Sequence, residues 1–407
     1  MNLYKVTHHL MHSPCRLKDK VSKVIYNIIN PSRTAQASQN QKGFSCQIAQ
    51  NFICKALSMN LIGATVSPDA CRRKCIFIFK LYLNIIILLY SIIIIPLYTE
   101  EKPEESHIKK YRKWGYVLSE SLEKFDQKRI DKIFEEYDIV CIAGIKIGDR
   151  GQLRYVSEWL NRIDKYGLKS YKNKIYPMII LSDRKAGIAI LGNKKYKEKS
   201  FQNIISFLKT NELIGVHLDY EDMPGEFSES YGNYLKDLKK EFAGTFKLSM
   251  ALYPPLEFKT GEDEFHNLKY ISKESIDELV LMTYDYFNQK TEPGCVTNLD
   301  WAKRNLDEVL KTFDRNQIWL GIPAYGYEWS LKGKPVYAIS DIEATKLTEK
   351  YQSSRQESGC IKIEKKDKLR PGLIFYSDRE TRALMEKIAK SVGVNGTALW
   401  RLGLERE

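Results

Sequence analysis

Leu213-Ile214-Gly215-Val216-His217-Leu218-Asp219-Tyr220-Glu221 has the composition of a buried β-strand with three ionisable groups set into it. Side chains alternate faces along a strand, so His217, Asp219 and Glu221 share one face while Val216, Leu218 and Tyr220 share the other. A strand this apolar is expected to be covered on both faces. Carboxylates placed there are costly unless they are paired or put to use. An edge strand with one wet face would show the same alternation, and the segment alone does not separate the two.

The surrounding chain favours the buried strand. Strand-like runs recur at 114–119, 138–143, 175–181, 213–221, 246–252, 278–284, 318–323 and 397–402. Helical patterns lie between most of them, at 122–137, 153–166, 200–210, 228–242, 299–313 and 379–391. Strands alternating with helices over this length predict a (β/α)8 barrel. A doubly wound open sheet would alternate too, but no Gly-rich phosphate loop follows any strand. Residues 330–372 are too many for one βα unit and predict a small α+β insertion between strands seven and eight. The chain after 402 leaves no room for an eighth helix.

Barrel enzymes place their chemistry at the C-terminal strand ends. Asp219 and Glu221 fall at the end of the fourth strand, Tyr284, Asp285 and Tyr286 at the sixth, Tyr325 and Tyr327 after the seventh, and Trp400 at the eighth. Carboxylates at such a rim supply proton transfer, and aromatic faces stack on the C–H faces of sugars.

The composition, 43% apolar and 28% charged, is that of a globular protein. The net charge of +13 is concentrated at one end: residues 1–75 hold 11 Lys/Arg against 2 Asp/Glu, which accounts for 9 of the excess charges. No zinc-ligand spacing, basic helix or RNA-binding aromatic motif accompanies them, so no nucleic-acid partner is expected. Residues 1–75 read as a poorly ordered cytoplasmic arm, with Met59 as an alternative start. The apolar run 76–98 has the roughly 20 residues of a bilayer-spanning helix. Arg72, Arg73 and Lys74 precede it, and Glu100, Glu101, Glu104 and Glu105 follow. That asymmetry predicts a transmembrane anchor with the later domain outside, joined by a linker at 99–111. A cleaved signal peptide is the alternative, although residues 95–100 lack a small-x-small cleavage pattern. Five of the eight cysteines precede or abut the apolar run and Cys141 sits in a strand, which leaves Cys295 and Cys360 as the one pair available for an external bridge. Their separation cannot be read from sequence.

Across residues 112–405 the chain resembles glycoside hydrolase family 18, the chitinase and chitinase-like barrels. The family's fourth-strand pattern Asp-Gly-x-Asp-x-Asp-x-Glu corresponds to Ile214 through Glu221. Met282-Thr283-Tyr284-Asp285 matches its sixth-strand ending. Gly321-Ile322-Pro323-Ala324-Tyr325-Gly326 and Ala398-Leu399-Trp400-Arg401-Leu402-Gly403 are similar to segments of its spore-cortex branch. The resemblance implies a substrate-assisted hydrolase of β-1,4-linked N-acetylglucosamine polymers. Glu221 would be the general acid, Asp219 would orient the substrate's acetamido group, and Tyr284 would bond its carbonyl. His217, Asp285, Tyr286, Tyr325 and Trp400 would bind sugar, with Trp400 as the floor. Neither metal nor cofactor is implied, and a monomer is expected. Peptidoglycan is favoured over chitin, and a catalytically silent, lectin-like barrel is the alternative. The chain departs from the pattern at Ile214 and His217, where the family carries Asp. A neutral His217 would hydrogen-bond Asp219 and shift the pH optimum; the same residue also reads as a satisfied core histidine.

Overall fold

A computed structural model describes residues 111–258, 263–333 and 335–406. The chain divides into two units, Met1–His107 and Ile108–Glu407, and the described residues all lie in the second. The expected arm, the apolar run 76–98 and all but the last residue of the 99–111 linker lie outside the described residues. Among the described residues no helix is long and apolar enough to cross a membrane.

Eight parallel strands close into a barrel. They are β1 (Arg112–Leu118), β2 (Ile139–Ile147), β4 (Ile175–Leu181), β5 (Gly215–Tyr220), β6 (Lys247–Leu252), β7 (Glu278–Leu281), β8 (Ile318–Pro323) and β14 (Gly396–Trp400). The hydrogen-bonded order β1-β14-β8-β7-β6-β5-β4-β2 returns to β1 through a β1–β2 pairing. A two-residue strand, β3 (Leu153–Arg154), adds to β2 in antiparallel fashion.

The helices depart from the sequence expectation in instructive ways. The pattern at 122–137 splits into a 3-10 turn, Ser119–Lys124, and α1 (Gln127–Glu136), because the Asp126 carboxylate caps Arg129 N–H and starts a new helix there. β3 takes the first residues of 153–166, leaving α2 (Val156–Lys165). An unexpected α3 (Arg184–Gly192) follows β4, capped by Asp183, and runs into α4 (Lys194–Thr210). Then come α5 (Ser228–Phe242) after β5 and α6 (Leu299–Val309) after β7. Among the described residues β6 is followed by 3-10 turns at Asp263–His266 and Lys273–Ser275 and by no α-helix before β7.

The insertion is wider than 330–372. It comprises β9 (Tyr325–Ser330), β10 (Val336–Ser340), α7 (Asp341–Thr348), β11 (Gln352–Arg355), β12 (Ile361–Lys365) and β13 (Gly372–Tyr376), with the strands in antiparallel order β10-β9-β13-β12-β11. After it, α8 (Arg379–Val392) returns the chain to β14. No helix follows β14 among the described residues, and a cavity of about 270 Å³ lies between α1 and α8 beside that bare wall.

The core has two layers. Val216, Leu218 and Tyr220 face outward into the apolar layer beneath the helices. Inside the barrel, Trp114, Tyr116, Cys141, Tyr176, Met178 and Trp319 pack together, and His217 joins their rings. At the N-terminal mouth, the buried Glu278 carboxylate accepts from Arg112, Asn395, Trp319 and Tyr176 at 3.1–3.4 Å. Cys295, in the long loop after β7, and Cys360, beside β12, form a disulfide with Cα atoms 5.8 Å apart. It ties the insertion to the rim.

Closing a chain segment with a sequence separation of 65 removes denatured-state entropy worth about 2–4 kcal/mol. The double substitution Cys295→Ser, Cys360→Ser is therefore expected to lower the unfolding free energy by about that amount, read as a lower guanidinium midpoint. An unchanged midpoint would show that the bridge adds nothing to stability.

Candidate active site

The rim is organised by the end of β5. On one side β5 stays in register with β4 as far as Leu181↔Tyr220, and Glu221 N–H extends the ladder to Leu181 C=O at 2.9 Å. On the other side the register with β6 stops at Leu218↔Met250. Beyond that point β5 and β6 part, and Glu221 stands half-buried beside the opening. Asp222 follows at φ 58°, a left-handed turn that takes the chain off the strand direction.

Asp219 lies one inward position below Glu221, 9% exposed, and its carboxyl is hydrogen-bonded to that of Glu221. Burial pushes Asp219 up to about 7; the bond to Glu221 opposes the rise and the Asp222 charge adds to it. Below it His217 is fully buried. The Ser249 hydroxyl donates to Val216 C=O at 3.1 Å, so its oxygen accepts from His217 Nδ1–H at 3.0 Å. His217 Nε2 is then the acceptor for Tyr116 O–H at 3.0 Å. Burial holds the ring neutral, with its pKa lowered to about 3. These bonds correct two expectations. His217 has no face toward a substrate, and with both nitrogens engaged it does not bond Asp219. Tyr116 stands between it and Trp400, with ring centroids 5.4 Å and 5.1 Å away.

β7 ends at Leu281, earlier than expected, so Met282–Asp285 forms a shaped rim rather than strand. Thr283 O–H donates to Gly321 C=O at 2.6 Å and Thr297 O–H to Thr283 C=O at 2.7 Å, which pins this turn to β8. A Cβ at Gly321 would lie 2.9 Å from the Tyr284 ring, so only glycine leaves room for that ring. Tyr284 is nearly parallel to Trp400 at 6.4 Å. Burial, and then the neighbouring Asp219 and Glu221 carboxylates, push its phenol well above the usual range, which keeps it a proton donor.

Asp285, at φ 59°, accepts from Tyr325 O–H at 2.6 Å and Tyr327 O–H at 2.7 Å. The left-handed turn sends Tyr286 the other way. Its ring packs on Trp301 of α6 at 4.7 Å. Tyr325 is a buried support for Asp285 in β9. A cleft of about 260 Å³ results, with Glu221, Tyr253, Phe258, Tyr284, Asp285 and Tyr327 among its walls. Sequence reasoning passed over Tyr253 and Phe258, which come from a connection without periodicity. Tyr327 carried a usable signal, two residues beyond Tyr325 on the same strand face.

A closed parallel barrel with a hydrogen-bonded carboxyl pair and aromatic walls at its C-terminal rim defines the architecture of a glycosidase. The sequence model of Glycosyl hydrolases family 18 matches residues 182–405, and the chain belongs to that family. It is 24% identical over 248 residues to the uncharacterized glycosylase YvbX of Bacillus subtilis (strain 168), covering 59% of this chain and 71% of that protein. It is also 24% identical over 251 residues to the cortical fragment-lytic enzyme of Bacillus anthracis, covering 56% of this chain and only 57% of that enzyme. Among solved structures, the Bacillus cereus spore cortex-lytic enzyme SleL superposes with a TM-score of 0.61 at 18% identity, covering 72% of this chain and 71% of that one. A chitinase from Chromobacterium violaceum gives 0.63 at 16%, covering 73% and 96%. At these identities the solved structures show a shared fold.

Asp219 ionises near 7 in the fold against a reference of 3.8. The stability linked to it is fully present below about pH 4 and is lost as pH rises through about 7. Asp219→Asn removes that loss. The variant is expected to exceed the parent in stability at pH 8 and to match it near pH 4, measured by thermal melts across pH. A gain largest in acid would contradict the assignment.

Proposed function

We propose that the chain hydrolyses β-1,4 bonds in N-acetylglucosamine-containing glycans by substrate assistance, with Glu221 as general acid and base. The observation that carries this reading is the Asp219–Glu221 hydrogen bond beside Tyr284 at the cleft. Glu221 gives its proton to the glycosidic oxygen as the C1–O bond breaks. The acetamido carbonyl oxygen of the same sugar bonds to C1, forming an oxazolinium ion. Asp219 accepts from the acetamido N–H and offsets the positive charge, while Tyr284 O–H donates to the carbonyl oxygen. Water then attacks C1, giving its proton to the Glu221 carboxylate, and the ring reopens with the original configuration. Trp400 supplies the apolar floor, and Asp285, held by two tyrosines, faces sugar hydroxyls. The names of the cortical fragment-lytic relatives favour peptidoglycan over chitin. The same reading sets the barrel outside the cell, tethered through 76–98; membrane fractionation with protease protection tests it.

The full chain is expected to cleave N-acetylglucosamine oligomers or peptidoglycan fragments and to leave the matching 2-hydroxyl oligomers intact. Glu221→Gln should lower turnover about 100- to 10 000-fold, and Tyr284→Phe about 100-fold. Tight oligomer binding without cleavage by the unmutated protein would replace the enzyme with a lectin-like barrel.

His217, neutral and fully bonded, leaves the pH–rate limbs to the Asp219–Glu221 pair. His217→Asp puts a carboxyl under that pair, and both limbs are expected to move. A superimposable profile would mean that this position has no electrostatic hold on the site.

A further inference from the structure

We propose that His266 is a positioning residue that fixes the proton-donating carboxyl of Glu221 by bridging the β5 and β6 ends where the two strands separate. This rests on reading Glu221 as the general acid. His266 ends the 3-10 turn Asp263–His266 and is 2% exposed. The backbone N–H of Tyr253 donates to its Nδ1 at 2.9 Å. Nδ1 is therefore the bare nitrogen, and Nε2–H donates to the carbonyl of Tyr220 at 2.9 Å. Tyr220 immediately precedes Glu221, and Tyr253 is a wall of the cleft.

The location gives this bridge its meaning. β5 and β6 share no register beyond Leu218↔Met250. Two further residues of β5 would leave a carbonyl unpaired on that side, a costly state in a buried strand. The imidazole supplies one donor to β5 and one acceptor to β6, and thus does the work of a ladder rung across a wider gap. On the opposite side the Glu221 N–H is fixed to Leu181. The peptide that carries Glu221 is thus held from both flanks. The ring itself is wedged between Tyr231 of α5 and Tyr253, with centroids 5.6 Å and 4.7 Å away. Burial lowers its pKa to about 3, so Nδ1 stays unprotonated and the ring keeps its acceptor over the working range.

A misplaced acid has a signature that general loosening lacks. Cleavage of a sugar–sugar bond needs protonation of the leaving oxygen, whereas a 2,4-dinitrophenyl N-acetylglucosaminide departs without it. His266→Phe keeps an aromatic wedge and removes both hydrogen bonds; His266→Gln restores one acceptor and one donor. In the full chain, His266→Phe is expected to lower kcat on N-acetylglucosamine oligomers about 10- to 100-fold. KM should move little, and kcat on the dinitrophenyl substrate should fall no more than about threefold. His266→Gln should recover most of the loss, and its recovery decides the matter even where the Phe variant folds poorly. Equal losses on both substrates, or His266→Gln no better than His266→Ala, would overturn the proposal. Glu221→Gln run beside them separates the failures. If it retains wild-type turnover on oligomers, the reading of Glu221 falls and this proposal with it; if it is inactive while His266→Phe is not impaired, only the role of His266 falls.

Discussion

A carboxyl group enclosed at the end of a parallel strand loses its hydration, a cost of several kcal/mol unless neighbours compensate. Asp219 is in that position, and its carboxyl is hydrogen-bonded to that of Glu221. The fold could have silenced this cost with a cation. At the opposite mouth Arg112 and three further donors surround the Glu278 carboxylate, although burial still outweighs them and raises its pKa. The two inward carboxylates therefore sit at opposite ends of one barrel under opposite treatment. One is ringed by donors and closes the bottom; the other is left with a second acid as its partner.

Beneath the reactive pair the interior is organised to take no part in proton traffic. Trp400 covers Tyr116, Tyr116 donates to His217, His217 donates to Ser249, and Ser249 donates to the carbonyl of Val216. Every link has one assignable direction, and the chain ends on backbone. The column therefore offers no acceptor for a proton from the carboxyl pair above it. A carboxyl in place of His217 would bring a third titrating group into contact with this column.

Much of this was legible in the sequence. Period-two alternation in 213–221 fixed which side chains of β5 face inward, because a buried parallel strand leaves no other choice. The strand bounds at 175–181 and 318–323 and the helix at 228–242 coincide with the observed ones, since turns flank them. Other features were out of reach. Where β7 ends depends on Thr283 and Thr297 meeting partners far along the chain. The fate of Tyr286 depends on a left-handed residue at Asp285, and that conformation has no sequence signature in an aspartate. His217 could be read either way until Tyr116 and Ser249, 101 and 32 positions distant, were seen at its nitrogens. Long-range pairing decides such cases, and local pattern does not carry it.

The Cys295–Cys360 bond has an implication of a different kind. It fastens the insertion, which carries Tyr325 and Tyr327, to the loop that begins with Asp285. Half of the cleft wall is thus held by a covalent link that thiol-reducing surroundings dissolve. In such surroundings the aspartate would keep its tyrosines only through noncovalent packing. The Asp219–Glu221 carboxyl pair, at the end of β5, would be untouched. The covalent clamp on this wall of the cleft therefore depends on an oxidising medium, whereas the barrel strands carry no such dependence.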